Sequence, residues 1–309
     1  MSRADSAPFA DVDEETLRDI FDEQRYVAEA DLVTTVLLAL RLGKPLLVEG
    51  EPGSGKTELG KVLAAGFDTE LVRLQCYEGL AAENALYEWN YTKQLLSVQS
   101  GERAVAADDS VFEEEYLLER PLLRALRADG RHPPVLLIDE IDRADEEFEA
   151  LLLEVLSDFQ VSIPELGTVR ADRPPIVIVT SNRTRGLSDA LKRRCLYLHV
   201  DAPSFEKERA IVRRKVPELD AAVAGELCAA VGRLREEPLL KRPGVAETLD
   251  WARAVSALRN GGDGDEELTA TEVRNTIGCL LKEAEDVSRI DDELVGELLE
   301  AAASGRSEG

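Results

Sequence analysis

The stretch GEPGSGKT at residues 50–57 decides the fold predicted for this chain. It follows the apolar run PLLV at residues 45–48 and leads into a helix-forming segment, so it lies between a strand and a helix. Glycines at 50, 53 and 55 permit a tight turn whose backbone N–H groups point at an anion, and the start of the helix adds positive charge. We therefore predict a phosphate-binding loop.

Two side chains of this loop have predicted chemical roles. Lys56 is expected to reach the β- and γ-phosphates of a nucleotide, and the Thr57 hydroxyl is expected to be a Mg²⁺ ligand. The predicted cofactors are therefore ATP and Mg²⁺. A chance glycine-rich turn is the alternative, and the flanking strand and helix argue against it. The residues predicted to bind the nucleotide are Glu51, Pro52, Gly53, Ser54, Gly55, Lys56, Thr57 and Glu58.

The charge balance limits the classes of partner. The 309 residues include 62 Asp and Glu against 37 Lys and Arg, which gives a formal net charge of −25. Such a surface argues against non-specific binding to nucleic acid, which relies on Lys and Arg to displace counterions from phosphates. The acidic residues are spread along the whole chain, and their excess over a few Lys resembles the proteins of salt-loving archaea.

The sequence also predicts the compartment. The N-terminal residues lack a basic-then-apolar signal, and no apolar run has the length that a bilayer requires. Four widely spaced cysteines without a C-x-x-C pair and only two histidines argue against disulfides and against a His/Cys metal site. We expect a soluble cytoplasmic protein without a membrane segment.

Apolar patterning predicts the domain organisation. Buried strands alternate with helices from the first strand to residue 200, which predicts an α/β fold with a parallel sheet. Beyond Pro203 the pattern is helical only, with helices near 205–216, 219–236, 245–258, 270–285 and 291–303 and a loop at 261–264. We predict an acidic flexible extension at 1–25, an αβα nucleotide-binding domain at 26–202, and a small helical domain at 203–309 with a flexible tail.

Two carboxylates close the strand PPVLLIDE at residues 133–140. Adjacent side chains of a strand point to opposite sides, so Asp139 and Glu140 are able to take different roles. We predict that Asp139 is the metal residue and that Glu140 is the base that orients the attacking water. The alternative is that both only end a strand at the surface.

Polar residues after the next strand complete the predicted site. Asn182 follows that strand, where its amide is expected to hydrogen-bond the γ-phosphate or the same water. Arg193 and Arg194 end a helix, where they suit the helix dipole or, alternatively, reach a phosphate bound by a neighbouring subunit. The predicted catalytic residues are Glu140, Asn182, Arg194 and Arg193.

The ordered segments GEPGSGKT, LLIDEIDRA, IVIVTSN and DALKRRC, followed by a helical tail, resemble the AAA+ ATPases. LQCYEGL, ALYEWNYTKQLL and PGVAETLDWARA extend the resemblance to the MoxR branch and its CoxD-like subgroup. This resemblance implies an AAA+ P-loop αβα sandwich with a helical lid, homo-oligomeric rings that are usually hexamers, and ATP hydrolysis that remodels a client. It also implies a von Willebrand A-domain partner and maturation or cofactor insertion of a target enzyme.

The resemblance also implies an insert near residues 80–100 and a hairpin at 160–170 that face the ring pore. We expect Trp89 and Tyr91 on this insert, together with the hairpin turn at 164–167, to contact the partner. Ordinary packing is the alternative for Trp89. One departure is that Ala246 stands where the family often has a second sensor Arg, so Lys241 or Arg242 is expected to substitute.

Two other functions use the same loop. A small-molecule or nucleotide kinase needs a phosphate-binding loop, but it needs neither Asn182 nor an arginine pair for a neighbour. A DNA-acting AAA+ motor needs a basic or aromatic nucleic-acid surface, which the acidic sequence does not show. The ring-forming remodelling ATPase is therefore the leading prediction.

Overall fold

The structure is a computed structural model, and it describes Phe9 and residues 11–100, 114–163, 166–259 and 267–306. The chain divides into two compact units. The first comprises Met1–Gln24, Ala28–Gly50 and Lys56–Val200, and the second comprises Arg25–Val27, Glu51–Gly55 and Asp201–Gly309.

Strands and helices alternate in the first unit, whereas the second has helices only among its described residues. The strands are β1 (Leu46–Gly50), β2 (Leu71–Gln75), β3 (Tyr87–Trp89), β4 (Leu117–Glu119), β5 (Val135–Asp139), β6 (Gln160–Ile163), β7 (Gly167–Arg170), β8 (Ile176–Ser181) and β9 (Leu196–Val200). The helices are α1 (Glu14–Glu23), α2 (Ala30–Leu42), α3 (Lys56–Gly66), α4 (Ala82–Ala85), α5 (Tyr91–Ser100), α6 (Pro121–Arg127), α7 (Glu146–Asp158), α8 (Asp189–Arg194), α9 (Phe205–Lys215), α10 (Ala221–Leu234), α11 (Val245–Leu258), α12 (Ala270–Leu280), α13 (Ala284–Ser288) and α14 (Asp292–Arg306).

Five parallel strands form the central sheet in the order β2-β5-β8-β1-β9. Every residue of β1, β5 and β8 is buried, as expected for apolar strands covered on both faces. The predicted α/β class with a parallel sheet and a C-terminal helical region is confirmed. Since β5, β8 and β1 are neighbours and run in the same direction, the segments that follow them begin at one edge of the sheet.

The N-terminal region departs from the prediction for residues 1–25. Residues 14–23 form a helix in which Leu17 and Phe21 are almost wholly buried and Ile20 packs against Gly66 of α3. The Asp13 carboxylate caps this helix by accepting the Thr16 N–H at 2.8 Å. The prediction of a flexible segment is therefore wrong for α1, because its one apolar stripe is enough to anchor an acidic helix.

The segment around residues 80–100 also differs from the predicted helical insert. Between α4 and α5, strand β3 pairs antiparallel with β4, with Tyr87 opposite Glu119. Trp89 on β3 is only 8% exposed and lies edge-on to the Tyr87 ring, whereas Tyr91 is 60% exposed. The prediction of a solvent-facing Trp89 is wrong, and its alternative of ordinary packing is correct.

The predicted hairpin at 160–170 is confirmed in its strands, since β6 pairs antiparallel with β7. Gly167 has a φ of +81°, a backbone conformation that favours glycine. The Pro164 and Glu165 part of the predicted partner-contacting turn lies outside the described residues, as does the predicted loop at 261–264.

The helical unit has its own core around Trp251, whose indole N–H donates to the Thr276 hydroxyl at 2.6 Å. Its α10 and α14 cross with their backbones close together, because a Cβ on Gly225 would lie 2.7 Å from the Gly305 oxygen. The predicted helix at 270–285 is divided into α12 and α13. The predicted tail after residue 303 is helical through Arg306, whose guanidinium pairs with buried Glu226 at 3.1 Å.

No helix within the described part of the chain has the length and apolar character needed to cross a membrane.

Candidate functional site

The phosphate-binding loop joins β1 to α3. Gly53 and Gly55 have φ values of +82° and +90°, which side-chain-bearing residues rarely adopt, so this loop conformation depends on glycine. Lys56 begins α3 and is 6% exposed, and its Nζ donates to the carbonyl of Gly50 at 2.9 Å. The other predicted loop residues, Glu51, Pro52 and Ser54, lie between these elements, and Glu58 on α3 pairs with Lys61 at 3.4 Å.

Asp139 is the centre of the site in the first unit. It is 2% exposed, and its Oδ1 accepts hydrogen bonds from the Thr57 hydroxyl at 2.9 Å and from the Thr180 hydroxyl at 2.6 Å. The structure thus brings together Thr57 and Asp139, the two residues predicted as metal ligands. A hydroxyl and a carboxylate are oxygen ligands of the kind that Mg²⁺ prefers.

Arg73 on β2 is a member of this cluster that sequence reasoning missed. Its Nη2 donates to Asp139 Oδ2 and to Gln75 Oε1, both at 2.6 Å. Gln75 pairs with Asp139 in the sheet register, so the alternation along β2 places Arg73 on the same face. The sequence signal is an Arg in a predicted strand, but it carries no information on which strand lies next to β2.

Removing the Arg73 guanidinium should destabilise the nucleotide-free protein. We expect Arg73→Ala to lower the free energy of unfolding by about 1–2 kcal/mol, since hydrogen bonds to charged groups are worth about 1.5–3 kcal/mol and solvent screens part of this one. The Arg73 side chain is 48% exposed. Urea denaturation measures the change. The control is Arg124→Ala, because Arg124 pairs with Glu70 at the surface and should contribute less. Equal losses in both variants would contradict the assignment.

Glu140, the predicted base, has an unusual backbone. Its φ is +57°, and its N–H donates to the Thr180 hydroxyl at 3.0 Å. Thr180 therefore donates to Asp139 and accepts from Glu140, so one hydroxyl connects both predicted acidic residues. The Glu140 carboxylate faces Arg143, whose Nη1 is 3.2 Å from Oε2. A non-glycine residue with positive φ stores strain, which recurs at functional sites.

Asn182 follows β8 and is half-buried. Its backbone N–H donates to Asp142 Oδ1 at 3.0 Å, whereas its side-chain amide makes no hydrogen bond within the described residues. Burial raises the pKa of the Asp142 carboxyl, but the hydrogen bonds from Thr184 and Asn182 outweigh burial, so this pKa lies below its usual value. Asp142 is thus a charged acceptor that sequence reasoning missed.

The two arginines of α8 differ in their partners. Arg194 is exposed, and its Nε donates to Ser157 Oγ at 2.7 Å and its Nη1 to the Ala190 carbonyl at 3.0 Å. Arg193 is exposed, and its guanidinium has no hydrogen bond or ion pair to any described residue. Within the described chain neither guanidinium bonds to Asp139, Glu140 or Asn182, so this chain alone does not bring the arginines into the cluster.

Lys241, the predicted substitute for a second sensor, lies in the helical unit between α10 and α11. Its backbone N–H donates to Asp286 at 3.2 Å, and its neighbour Leu240 donates to the same buried carboxylate at 2.9 Å. The side chains of Lys241 and Arg242 are exposed. The segment that carries them is therefore fixed by its backbone.

Cys76 and Cys195 are unsuited to nucleophilic chemistry. Cys76, Cys195 and Cys228 are buried, and Cys279 is half-buried. Burial raises the pKa of the Cys76 thiol to about 12, with the nearby Asp139 charge adding to the effect, and burial also raises that of Cys195 to about 12. Thiols with such pKa values stay protonated at neutral pH.

The residues present fit a magnesium nucleotide. The described residues contain no group of three His, Cys, Asp or Glu side chains that could hold a metal ion. Both Asp139 oxygens already accept hydrogen bonds, so Asp139 would supply only part of the coordination of a metal ion. Nucleotide oxygens and water would supply the rest. Lys56 and the N-terminal end of α3 fit the phosphates.

A glycine-dependent loop that leads into a helix, with Thr57 bonded to the acid at the end of a nearby buried strand, defines a P-loop nucleotide-binding protein. Residues 45–195 match the family described as AAA domain (dynein-related subfamily). This match to an AAA domain agrees with the resemblance of the sequence motifs to the AAA+ ATPases.

Several curated relatives are described as uncharacterized proteins. SH1500 of Staphylococcus haemolyticus is 27% identical over 193 residues, which cover 60% of this chain and 66% of that protein. SAB1265c of Staphylococcus aureus is 30% identical over 52% of this chain and 56% of its own length, and YehL of Escherichia coli is 29% identical over 55% and 45%. The chain thus spans about half to two thirds of the length of these relatives.

Among solved structures, the chain is similar to the RuvB Holliday junction branch migration motor of Thermotoga maritima. The TM-score is 0.46 at 19% identity, over 91% of this chain and 73% of that chain. A variant of the same RuvB gives a TM-score of 0.47 over 89% and 72%.

Proposed function

We propose that this protein binds ATP with Mg²⁺ and hydrolyses it to ADP and phosphate. The observation that carries the proposal is the 2.9 Å hydrogen bond from Thr57 to Asp139, which joins the phosphate-binding loop to the acid of β5. Magnesium supplies charge stabilisation for phosphoryl transfer. Lys56 binds the phosphates, Glu140 takes a proton from the attacking water, and Asn182 orients that water or the terminal phosphate.

The proposed biological role is that of a ring-forming remodelling ATPase of MoxR type. Each subunit offers Arg194 or Arg193 to the nucleotide of its neighbour in a homo-oligomeric ring, which we propose to be a hexamer in the cytoplasm. A von Willebrand A-domain protein and a client enzyme under maturation are the proposed partners. The support is the run of sequence motifs together with the match of residues 45–195 to the AAA domain family. The net charge of −25 speaks against nucleic acid as the partner.

Phosphate release by the purified chain, without any small-molecule acceptor, tests the enzymatic proposal. The expected result is slow ATP hydrolysis that needs Mg²⁺. Lys56→Ala is the negative control and should lose nucleotide binding, because the cation that faces the phosphates is absent. Turnover only in the presence of a small acceptor would instead identify a kinase and overturn the proposal.

The exposed face of α5 is the proposed partner contact. Tyr91 and Leu95 are 60% and 62% exposed and lie one helical turn apart. We expect Tyr91→Ala to weaken the stimulation of ATP hydrolysis by a von Willebrand A-domain partner and to spare basal hydrolysis. Trp89→Ala is the contrast, since loss of a buried Trp should lower the melting temperature and both activities. Equal stimulation of Tyr91→Ala and the parent would contradict the contact.

We propose that the acidic surface is an adaptation to high salt. With 62 acidic against 37 basic residues, self-repulsion should loosen the fold in dilute buffer, and salt should screen it. The melting temperature should therefore rise from dilute buffer to molar KCl, as measured by calorimetry. A flat or falling curve would contradict this origin and favour a specific partner for the acidic surface.

A further inference from the structure

Two buried carboxylates hold the segment of residues 182–188, which connects β8 to α8. Asp142 belongs to the short 3-10 helix Ile141–Arg143 and is 3% exposed. Its Oδ1 accepts the Asn182 N–H at 3.0 Å, and its Oδ2 accepts the Thr184 N–H at 2.9 Å and the Thr184 hydroxyl at 2.6 Å. All three bonds go to the first half of the 182–188 segment.

Glu149 of α7 holds the second half in the same way and is 2% exposed. Its Oε1 accepts from Arg185 Nη2 at 2.5 Å, and its Oε2 accepts the Ser188 N–H at 3.1 Å. Arg185 Nη2 also donates to the Ala144 carbonyl at 2.6 Å. Ser188 is the N-cap of α8, so Glu149 fixes the point at which that helix begins.

The hydrogen bonds of Asp142 and Glu149 do more than satisfy two buried charges. A buried carboxylate needs hydrogen bonds wherever it lies, but here both carboxylates bond to one seven-residue segment. That segment carries Asn182 at one end and leads directly into the helix of Arg193 and Arg194. Asp142 and Glu149 belong to the turn and helix that follow Glu140. The Asp142 and Glu149 side chains therefore connect the turn and helix that follow Glu140 to the segment that carries Asn182 and leads to the two arginines.

We propose that Asp142 and Glu149 are positioning residues for ATP hydrolysis, which fix Asn182 and the start of α8 relative to Glu140. This inference rests on the proposed ATPase activity. Asp142 acts by fixing Asn182, whose side-chain amide belongs to the site of the same chain. Glu149 acts by fixing the start of α8, the helix whose arginines serve the site of a neighbouring subunit. Hydrolysis depends on such placement because small displacements of a catalytic group cost large factors in rate.

The test compares Asp142→Ala and Glu149→Gln with two control variants. Asp145→Ala removes the cap of α7, a bond from Phe148 N at 2.9 Å that does not involve the 182–188 segment. Glu147→Gln makes the same charge change as Glu149→Gln at an exposed position of the same helix. Amide hydrogen exchange in the nucleotide-free protein, the affinity for a fluorescent ATP analogue, and kcat and KM for ATP are measured for each.

We expect the Asn182 and Thr184 amides to exchange about tenfold faster or more in Asp142→Ala, and the Ser188 amide to do so in Glu149→Gln. We also expect kcat to fall by about 10- to 100-fold while KM and analogue affinity stay within about threefold, because the loop that binds phosphate is unchanged. The controls should match the parent in exchange of this segment and in kcat. Asp142→Asn keeps one acceptor oxygen, so its amide exchange and its kcat should lie between those of Asp142→Ala and the parent. It replaces Asp142→Ala if that variant does not fold.

Two results would overturn the inference. Unchanged exchange would show that the carboxylates do not hold the segment, and faster exchange with parental kcat would show a structural role only. A parent chain without ATP hydrolysis would overturn the proposed function instead, and exchange would still decide whether Asp142 and Glu149 hold the segment.

Discussion

Glu140→Gln should lower the rate of ATP hydrolysis by about 10²- to 10⁴-fold, the contribution typical of a general base, and leave nucleotide affinity nearly unchanged. Glutamine keeps the size of the side chain but cannot take a proton from water. The substitution also leaves the backbone at φ +57° with its N–H bonded to Thr180, so the structure around the site should persist. The expected loss of hydrolysis rate is therefore caused by the loss of proton transfer and not by weaker nucleotide binding.

Single-turnover phosphate release measures the loss, and binding of a fluorescent ATP analogue measures affinity. Glu146→Gln is the matched control, because it removes the same charge from an exposed position at the start of α7. It should hydrolyse ATP at the parental rate. Parental turnover by Glu140→Gln would show that another group is the base.

Arg194→Ala should bind ATP and lose hydrolysis by about 10³-fold or more, since an arginine supplied by a neighbour contributes about 10³–10⁵ to phosphoryl transfer. When Arg194→Ala is mixed with Glu140→Gln, some interfaces pair an intact Glu140 with an intact Arg194. About one quarter of the interfaces in an equimolar ring should be of this kind, so activity should partly return. A monomeric kinase does not show this restoration.

The controls follow from the contacts of α8. Lys192→Ala removes an adjacent exposed cation and should change little. The Arg194 guanidinium bonds to Ser157 and Ala190 in its own chain and would have to leave them to reach a neighbour. The Arg193 guanidinium has no partner among the described residues, so Arg193→Ala is also mixed with Glu140→Gln. Light scattering must show mixed rings. Background activity in mixed rings of both arginine variants would contradict a shared site.

Local pattern was enough to predict the main elements of the fold. The loop at 50–57, the buried strand before Asp139 and helix α11 at residues 245–258 all lie where periodicity and turn residues place them. Each of these signals is contained in a short stretch of sequence. Helix α1 was missed as a packed element because its acidic composition outweighed its three buried apolar residues. The burial of Trp89 was missed because it depends on the pairing of β3 with β4, which lies nearly 30 residues later in the chain.

The cluster around Asp139 shows why half of the candidate site was not predictable. Thr57 and Asp139 belong to motifs with fixed spacing, so their proximity was expected. Arg73 and Thr180 reach Asp139 only because β2 and β8 lie on either side of β5, and strand order is a property of the whole sheet. Asp142 and Glu149 were missed for the same reason, since a buried acid next to a motif has no local sequence signal for its partner.

The close crossing of α10 and α14 has a consequence for synthesis of the protein on the ribosome. Glu226 and Arg306 pair across 80 residues of chain, and Gly225 and Gly305 meet beside them. At about 5–20 residues per second, the ribosome adds α14 roughly 4–16 s after α10. The last strand of the sheet ends at Val200 and is made earlier. We therefore expect the sheet to form during translation, while α10 keeps an uncovered apolar face until α14 emerges from the exit tunnel.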